Sequence, residues 1–285
     1  MTKPHSLTVF FALSFLISWM VWVPASLASH NLISFKIDPT LSGSLGAIGP
    51  SLAALITIAI YDGGTGFRDL FGRLLTWRVG LRWYLFVFLW APCLSLTVTA
   101  VSVLVGGSIP NFAQPPFANI FSSLLPTLGN ISPFIFLPFF FLQQLLLGSS
   151  MGEEPGWRGY ALPRMQFKSG AWQASILLGM LWGLWHLPLW LTKGNFAQET
   201  FIGWHYLELI ATSVLFGWVY NNTKGSLFLA LLFHTSIGVT GLFLASVEFY
   251  PWLPAAFSWG TALLVTTFSK RVDRAMAIKS IYPLW

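Results

Sequence analysis

The chain has 285 residues, of which only 8% are charged and 55% are hydrophobic, and its mean hydropathy is +0.69. Soluble domains carry roughly 25% charged residues, so the composition excludes an ordinary soluble protein and predicts a protein surrounded by membrane lipid. The net charge of +6 does not indicate a nucleic-acid partner, because the basic residues cluster in loops between apolar segments. The single cysteine, Cys93, excludes an intrachain disulfide and is predicted to be a small buried side chain.

Eight apolar segments are long enough to cross a bilayer, which requires about 20 mostly apolar residues. They predict an all-α, polytopic transmembrane helix bundle with about eight spans. No internal repeat and no linker between domains is visible. The first segment could also be a signal peptide, but its apolar stretch favours a retained helix. The predicted spans are 7–28, 42–61, 83–105, 132–151, 172–192, 204–220, 226–246 and 251–269.

The basic residues lie almost entirely in alternate loops. Of the 15 lysines and arginines, all but Lys36 and Lys193 fall on one side of an eight-span arrangement. Because basic loops stay in the cytoplasm, this predicts a multi-pass protein of the plasma membrane with both termini cytoplasmic. The basic and apolar residues of segment 62–82 suggest an amphipathic helix on the cytoplasmic surface, with a simple basic loop as the alternative.

A pair of acids follows the fourth predicted span. Ionisable groups at membrane depth are costly and suggest function. Glu154 and Arg158 are spaced i,i+4 with the acid first, which favours an ion pair and leaves Glu153 free. Pro155 cannot donate a hydrogen bond to Met151, so a kink is expected here. Alternatively, both acids mark the end of the helix in the headgroup region.

Two histidines lie in later spans. His186 follows Trp182 by one helical turn, and His234 lies well inside the seventh predicted span. Either histidine alone could be a packing residue. Together with Glu153 they could activate a water molecule, or they could bind a divalent ion such as zinc that polarises a carbonyl. Both alternatives are hydrolytic. His205 and Glu208, near the other membrane face, are predicted to be a structural pair.

These motifs resemble the CPBP intramembrane peptidases, the family of type II CAAX prenyl proteases and bacteriocin-processing proteins. Its motifs are Glu-Glu-x-x-x-Arg, aromatic-x-x-x-His and His-x-x-x-Asn/Asp. The first matches Glu153, Glu154 and Arg158, the second Trp182 and His186, and the third begins at His234. The resemblance covers about 130–245. It implies N-terminal transmembrane helices with a cytoplasmic amphipathic segment over 1–130, a CAAX-protease-like catalytic helix core over 131–250, and a last span with a cytoplasmic tail over 251–285.

The resemblance also implies roles for these residues. Glu153 is the expected general base, His186 and His234 position the water or stabilise the oxyanion, and Glu154, Arg158 and Trp182 support them. The expected substrate is a membrane-associated peptide or a prenylated protein, including the CAAX type. The implied cofactor is either zinc held by Glu153, His186 and His234, or none.

Gly238 departs from the family pattern, since Asn or Asp is expected there. Ser236 or Thr235 is a candidate replacement. The departure leaves open a catalytically inactive protein that binds a peptide or bacteriocin and confers immunity. A further alternative is a proton-coupled transporter that uses the same groups as a relay, although no second copy of the span-4 motif supports it.

The predicted spans place Glu153 near the membrane surface. His186, in contrast, lies roughly 22 Å beyond Ala171 at 1.5 Å per residue. The two residues meet only if helix 5 begins in the cytoplasm, or if helix 4 runs deep before its kink. We predict the first, with residues 165–176 forming helix that extends into the cytoplasm.

Overall fold

The computed structural model describes residues 5–34, 37–118, 131–195, 201–244 and 250–268. All regular elements within these ranges are helical. The helices before the acidic motif are α1 (Ser6–Ser29), α2 (Pro39–Ala47), α3 (Gly49–Tyr61), α4 (Gly63–Leu74), α5 (Leu81–Leu104), a 3-10 turn (Pro133–Phe136) and α6 (Leu137–Leu146). Those from the motif onward are α7 (Ser149–Glu154), a π-helical segment (Pro155–Ala161), α8 (Leu162–Ser169), α9 (Ala171–Trp185), α10 (Leu187–Trp190), α11 (Ile202–Asn222), α12 (Leu227–Phe243) and α13 (Leu253–Phe268).

The predicted all-α membrane bundle is confirmed. Among the described residues, four helical stretches are long and apolar enough to cross a membrane: Ser6–Ser29, Leu41–Tyr61, Leu81–Leu104 and Pro133–Ser169. Shorter apolar helices and many outward-facing apolar side chains complete a surface suited to lipid. The number of spans and the orientation stay predictions, since Lys3, Lys36 and the basic tail lie outside the described residues.

The prediction for Cys93 was wrong. This side chain lies on the outer surface of α5 and is exposed. Hydropathy alone does not tell which face of an apolar helix packs inward, because both faces of a lipid-facing helix are apolar.

The helix that contains the acidic motif does not end near residue 151 as predicted. Helical structure continues from α7 through the π-helical segment and α8 to Ser169. Pro155 donates no hydrogen bond to the carbonyl of Met151, and the hydroxyl of Ser51 on α3 donates to that carbonyl instead, at 2.8 Å. A neighbouring helix therefore satisfies the carbonyl that the proline leaves open. The wide π-helical turn begins at the same proline. Turns of this kind often occur at functional sites.

Two glycines allow α3 to approach this helix closely. A Cβ at residue 152 would lie 2.6 Å from the carbonyl oxygen of Ala47, and one at residue 156 would lie within 3 Å of the backbone of Pro50. No real side chain fits at such separations, so Gly152 and Gly156 form a small-xxx-small contact. This contact places Ser51 against the open carbonyl.

A tight turn at Gly170 joins α8 to α9. Gly170 has a φ of 80°, a left-handed conformation that glycine adopts without strain. Residues 165–176 are helical as predicted except at Gly170, which separates α8 from α9, and their extension into the cytoplasm stays a prediction. Glu153 precedes Gly170, and His186 follows it, by nearly equal numbers of residues. Because the helices on the two sides of the turn run antiparallel, the two residues lie at about the same distance from the turn. The expected separation of Glu153 from His186 is absent because the helix that carries Glu153 continues to Ser169.

The predicted amphipathic helix in segment 62–82 is present as α4, which covers Gly63–Leu74, whereas residues 76–80 are not helical. Its position on the cytoplasmic surface stays a prediction. The helix is also tied to the bundle. The buried Arg73 is paired with Asp69 at 2.9 Å and hydrogen-bonded to the hydroxyl of Tyr220. Arg164 on α8 binds Asp62, at the start of α4, at 2.6 Å. These pairs anchor α4 to the helices that follow the acidic motif.

Candidate active site

Glu154 is the centre of a buried charged cluster. Its Oε1 accepts a hydrogen bond from Arg158 at 2.9 Å, and both side chains are fully buried. The same oxygen lies 2.7 Å from Nδ1 of His234 on α12. The guanidinium of Arg158 also lies over the rings of Phe216, at 3.9 Å, and Trp182, at 4.6 Å. The ion pair predicted from the i,i+4 spacing is therefore formed, and it also holds a histidine.

Glu153 has a different environment. It is 3% exposed, and its Oε2 accepts a hydrogen bond from the indole Nε1–H of Trp182 at 2.7 Å. Within the described part of the chain, Oε1 of Glu153 has no hydrogen-bond partner. No basic side chain is paired with this carboxylate in the described ranges, so it retains a free oxygen next to α9.

His186 caps the end of α9 and lies in an aromatic enclosure. Its Nδ1–H donates to the carbonyl of Trp182 at 2.9 Å, which leaves Nε2 as the acceptor of the neutral ring. The imidazole stacks between Trp22 and Trp190, with ring centroids 6.3 Å and 6.1 Å away. Trp185 contacts it edge-on at 4.7 Å. These rings fix the orientation of the imidazole, and Nε2 has no hydrogen-bond partner in the ranges that the structure describes.

Trp182 connects the two halves of the site. Its ring centroid lies 5.7 Å from that of His186 and 6.1 Å from that of His234. The structure thus brings all six predicted site residues to one place, from three parts of the chain. They are Glu153, Glu154, Arg158, Trp182, His186 and His234.

The sequence predicted the ion pair of Glu154 with Arg158 but not the hydrogen bond of Glu154 with His234. Three further residues near the site, Trp22, Ser149 and Gln144, were not predicted either. Ser149 Oγ lies 3.1 Å from Nε2 of His234, and Gln144 donates to Ser149 Oγ at 2.6 Å. A polar glutamine within the apolar α6 was a signal available in the sequence. Trp22 had no comparable signal, since one tryptophan in an apolar span is not distinctive.

The predicted pair of His205 and Glu208 lies apart from the acidic cluster. Nδ1 of His205 is 3.4 Å from Oε2 of Glu208, and both side chains are partly exposed. His205 also packs edge-on against Trp190. The contact matches the structural pair expected from the sequence.

The donor set does not fit a metal ion in this arrangement. Among the described residues, no group of three or more His, Cys, Asp or Glu side chains is placed to bind a metal. Both ring nitrogens of His234 already have partners, namely Glu154 and Ser149. Oε2 of Glu153 is also occupied, by the indole of Trp182. A zinc ion on Glu153, His186 and His234 would require these contacts to break.

Comparison with known proteins agrees with this geometry. Residues 135–240 match the family model described as "Type II CAAX prenyl endopeptidase Rce1-like". This range contains every residue of the acidic cluster and both site histidines. This central part of the chain is therefore similar to the type II CAAX prenyl endopeptidases.

Two curated proteins are similar to this chain. The "CAAX prenyl protease 2" of Methanococcus maripaludis is 28% identical over 247 residues, which are 84% of this chain and 85% of that protein. The "Lysostaphin resistance protein A" of Staphylococcus haemolyticus is 29% identical over 96 residues, which are 33% of this chain and 25% of that protein. The first similarity extends well beyond the motif helices, whereas the second is partial.

Proposed function

We propose that this protein is an intramembrane endopeptidase that hydrolyses peptide bonds of membrane-associated or lipidated substrates, including prenylated CAAX-type chains. The main support is Glu153, a buried carboxylate with one free oxygen, no basic partner among the described residues, and a tryptophan donor that orients it. Such a carboxylate is suited to accept a proton from water. The 28% identity to a CAAX prenyl protease supports the substrate class.

In the proposed mechanism, Oε1 of Glu153 accepts a proton from a water molecule that Nε2 of His186 helps to orient. The hydroxide attacks the scissile carbonyl. His234, whose Nδ1–H donates to the carboxylate of Glu154, stabilises the oxyanion from the other side. Arg158 balances the charge of Glu154. The proton on Glu153 then passes to the leaving amine.

The test compares detergent-purified wild type with Glu153→Ala on a panel of prenylated and unmodified hydrophobic peptides. Loss of a general base is expected to lower kcat by roughly 10²- to 10⁴-fold. Glu208→Ala is the matched control, because it removes a partly buried glutamate outside the site. Equal cleavage by wild type and Glu153→Ala would sink the proposal.

The metal-free form of this proposal has its own measurement. Metal analysis of the active sample should find no stoichiometric zinc, and a chelator should leave cleavage unchanged. Inhibition by the chelator together with recovery on added zinc would show that the metal alternative holds and that the ligands rearrange.

A second candidate is a binding protein that confers resistance without hydrolysis. Gly238, where the family has Asn or Asp, favours it, and so does the partial similarity to a lysostaphin resistance protein. It predicts that wild type cleaves no peptide of the panel yet protects cells, and that Glu153→Ala protects equally well.

A further inference from the structure

Two nitrogens beside the acidic cluster face a single oxygen atom. Nε2 of Gln144 lies 2.6 Å from Oγ of Ser149, and Nε2 of His234 lies 3.1 Å from the same atom. The carboxamide nitrogen is a donor. The histidine nitrogen is a donor when the ring is charged, a form that Glu154 favours because its carboxylate accepts from Nδ1. Two N–H groups at these distances from one oxygen are the geometry that stabilises an oxyanion.

Gln144 reaches this position because of two glycines. A Cβ at residue 238 would lie 3.1 Å from Nε2 of Gln144 and 3.6 Å from its Cδ. A Cβ at residue 148 would lie 2.8 Å from the Cα of Gln144 and 2.9 Å from its Cδ. Gly238 and Gly148 therefore leave the space that the carboxamide occupies. The amide group lies where a side chain at residue 238 would begin.

Thr235 and Ser236 were the predicted replacements for the polar side chain that is absent at Gly238, but their hydroxyls have other partners. Oγ1 of Thr235 bonds with Oγ of Ser150 at 2.9 Å, and Oγ of Ser236 donates to the carbonyl of Phe88 at 3.2 Å. Both side chains are buried, and neither has a hydrogen bond to Ser149 or His234 among those observed. The carboxamide of Gln144, in contrast, lies next to Gly238 and donates to Ser149 Oγ, the atom that also contacts His234.

We propose that Gln144 and His234 together form the oxyanion site, and that the hydroxyl of Ser149 occupies the oxyanion position when no substrate is bound. This inference rests on the proposed peptidase function. On substrate binding, the scissile carbonyl oxygen replaces Oγ of Ser149, whose side chain rotates about its single χ angle. As water adds, the carbonyl electrons move to that oxygen, and the N–H groups of Gln144 and His234 donate to it.

The test measures kcat and KM for cleavage of a prenylated peptide by the purified full-length protein. Gln144→Ala is expected to lower kcat by roughly 10²- to 10³-fold with little change in KM, because the lost donor acts on the transition state. Ser149→Ala is expected to lower kcat far less. Gln143→Ala, on the same helix, is the matched control and should behave as wild type.

A rescue experiment separates a hydrogen-bonding role from a packing role. The double variant Gln144→Ala/Gly238→Asn places a carboxamide on α12 instead. Its kcat is expected to be at least tenfold higher than that of Gln144→Ala. Gln144→Ala/Gly238→Leu fills the same space without a donor and should recover nothing. Equal recovery by Asn and Leu, or an equal loss of kcat in Ser149→Ala and Gln144→Ala, would overturn the proposal.

Binding of a phosphinate analogue of the peptide gives a readout without turnover, because its tetrahedral anion resembles the transition state. Gln144→Ala should weaken this binding roughly a hundredfold and leave binding of the parent peptide unchanged. Unchanged phosphinate affinity would overturn the role of Gln144. Cleavage by Glu153→Ala at the wild-type rate would instead overturn the peptidase function itself, so the two failures are distinguishable.

Discussion

Glu153 and Glu154 are adjacent in the chain and equally buried, yet they differ in their partners. Glu154 binds both Arg158 and His234, so its charge is balanced and its position is fixed. Glu153 accepts a single hydrogen bond from a neutral indole and, unlike Glu154, is paired with no basic side chain among the described residues. A buried ion pair can therefore hold the helices of a site together, while the unpaired carboxylate beside it remains able to accept a proton.

The strongest test of this comparison is the neutral variant Glu154→Gln. It leaves the guanidinium of Arg158 buried without a counter-charge, which typically costs about 3–5 kcal/mol of stability. We expect a large fall in the thermal unfolding midpoint in detergent, whereas Glu153→Gln should unfold near the wild-type temperature. Glu208→Gln serves as the control for loss of an acid elsewhere. Equal stability of Glu154→Gln and wild type would show that Glu154 is not structural.

Trp182→Phe tests the other half of the comparison. It removes the donor to Oε2 of Glu153 and keeps an aromatic ring in contact with both histidines. A hydrogen bond to a charged group contributes about 1.5–3 kcal/mol, so kcat should fall roughly ten- to a hundredfold. Trp190→Phe is a suitable control, since it preserves the stacking on His186 and leaves Glu153 untouched. Unchanged kcat in Trp182→Phe would mean that the indole does not orient the base.

Ser51→Ala should have the smallest effect. It leaves the carbonyl of Met151 without its donor, at a cost of about 1–3 kcal/mol. We expect a modest decrease in the unfolding midpoint. We also expect kcat to decrease, because Glu153 and Glu154 lie only two and three residues after Met151. Ser51→Thr, which restores a hydroxyl, should recover both quantities, and failure of threonine to do so would argue against the hydrogen bond.

Local patterns predicted much of this molecule. Hydropathy located a helix in each predicted span, and the i,i+4 spacing predicted the pair of Glu154 and Arg158. Features that depend on contacts between distant helices were not predictable. Pro155 is normally a sign of a kink or an end, but the helix continues here, and Ser51 from α3 satisfies the carbonyl that the proline leaves open. The bond between Glu154 and His234 and the position of Gln144 beside Gly238 depend in the same way on packing.

The turn at Gly170 has a consequence for which bonds can be cut. The helical stretch from Glu153 to Ser169 and helix α9 form arms of nearly equal length. The distance from the turn to the acidic cluster is therefore set by the number of residues in each arm. A one-residue insertion in either arm would rotate its side chains by about 100° and separate Glu153 from Trp182. Adding two full turns to both arms would instead keep their register and move the reaction centre farther from the turn. If the proposed peptidase activity holds, the length of the arms in this hairpin sets how far from the turn a scissile bond must lie.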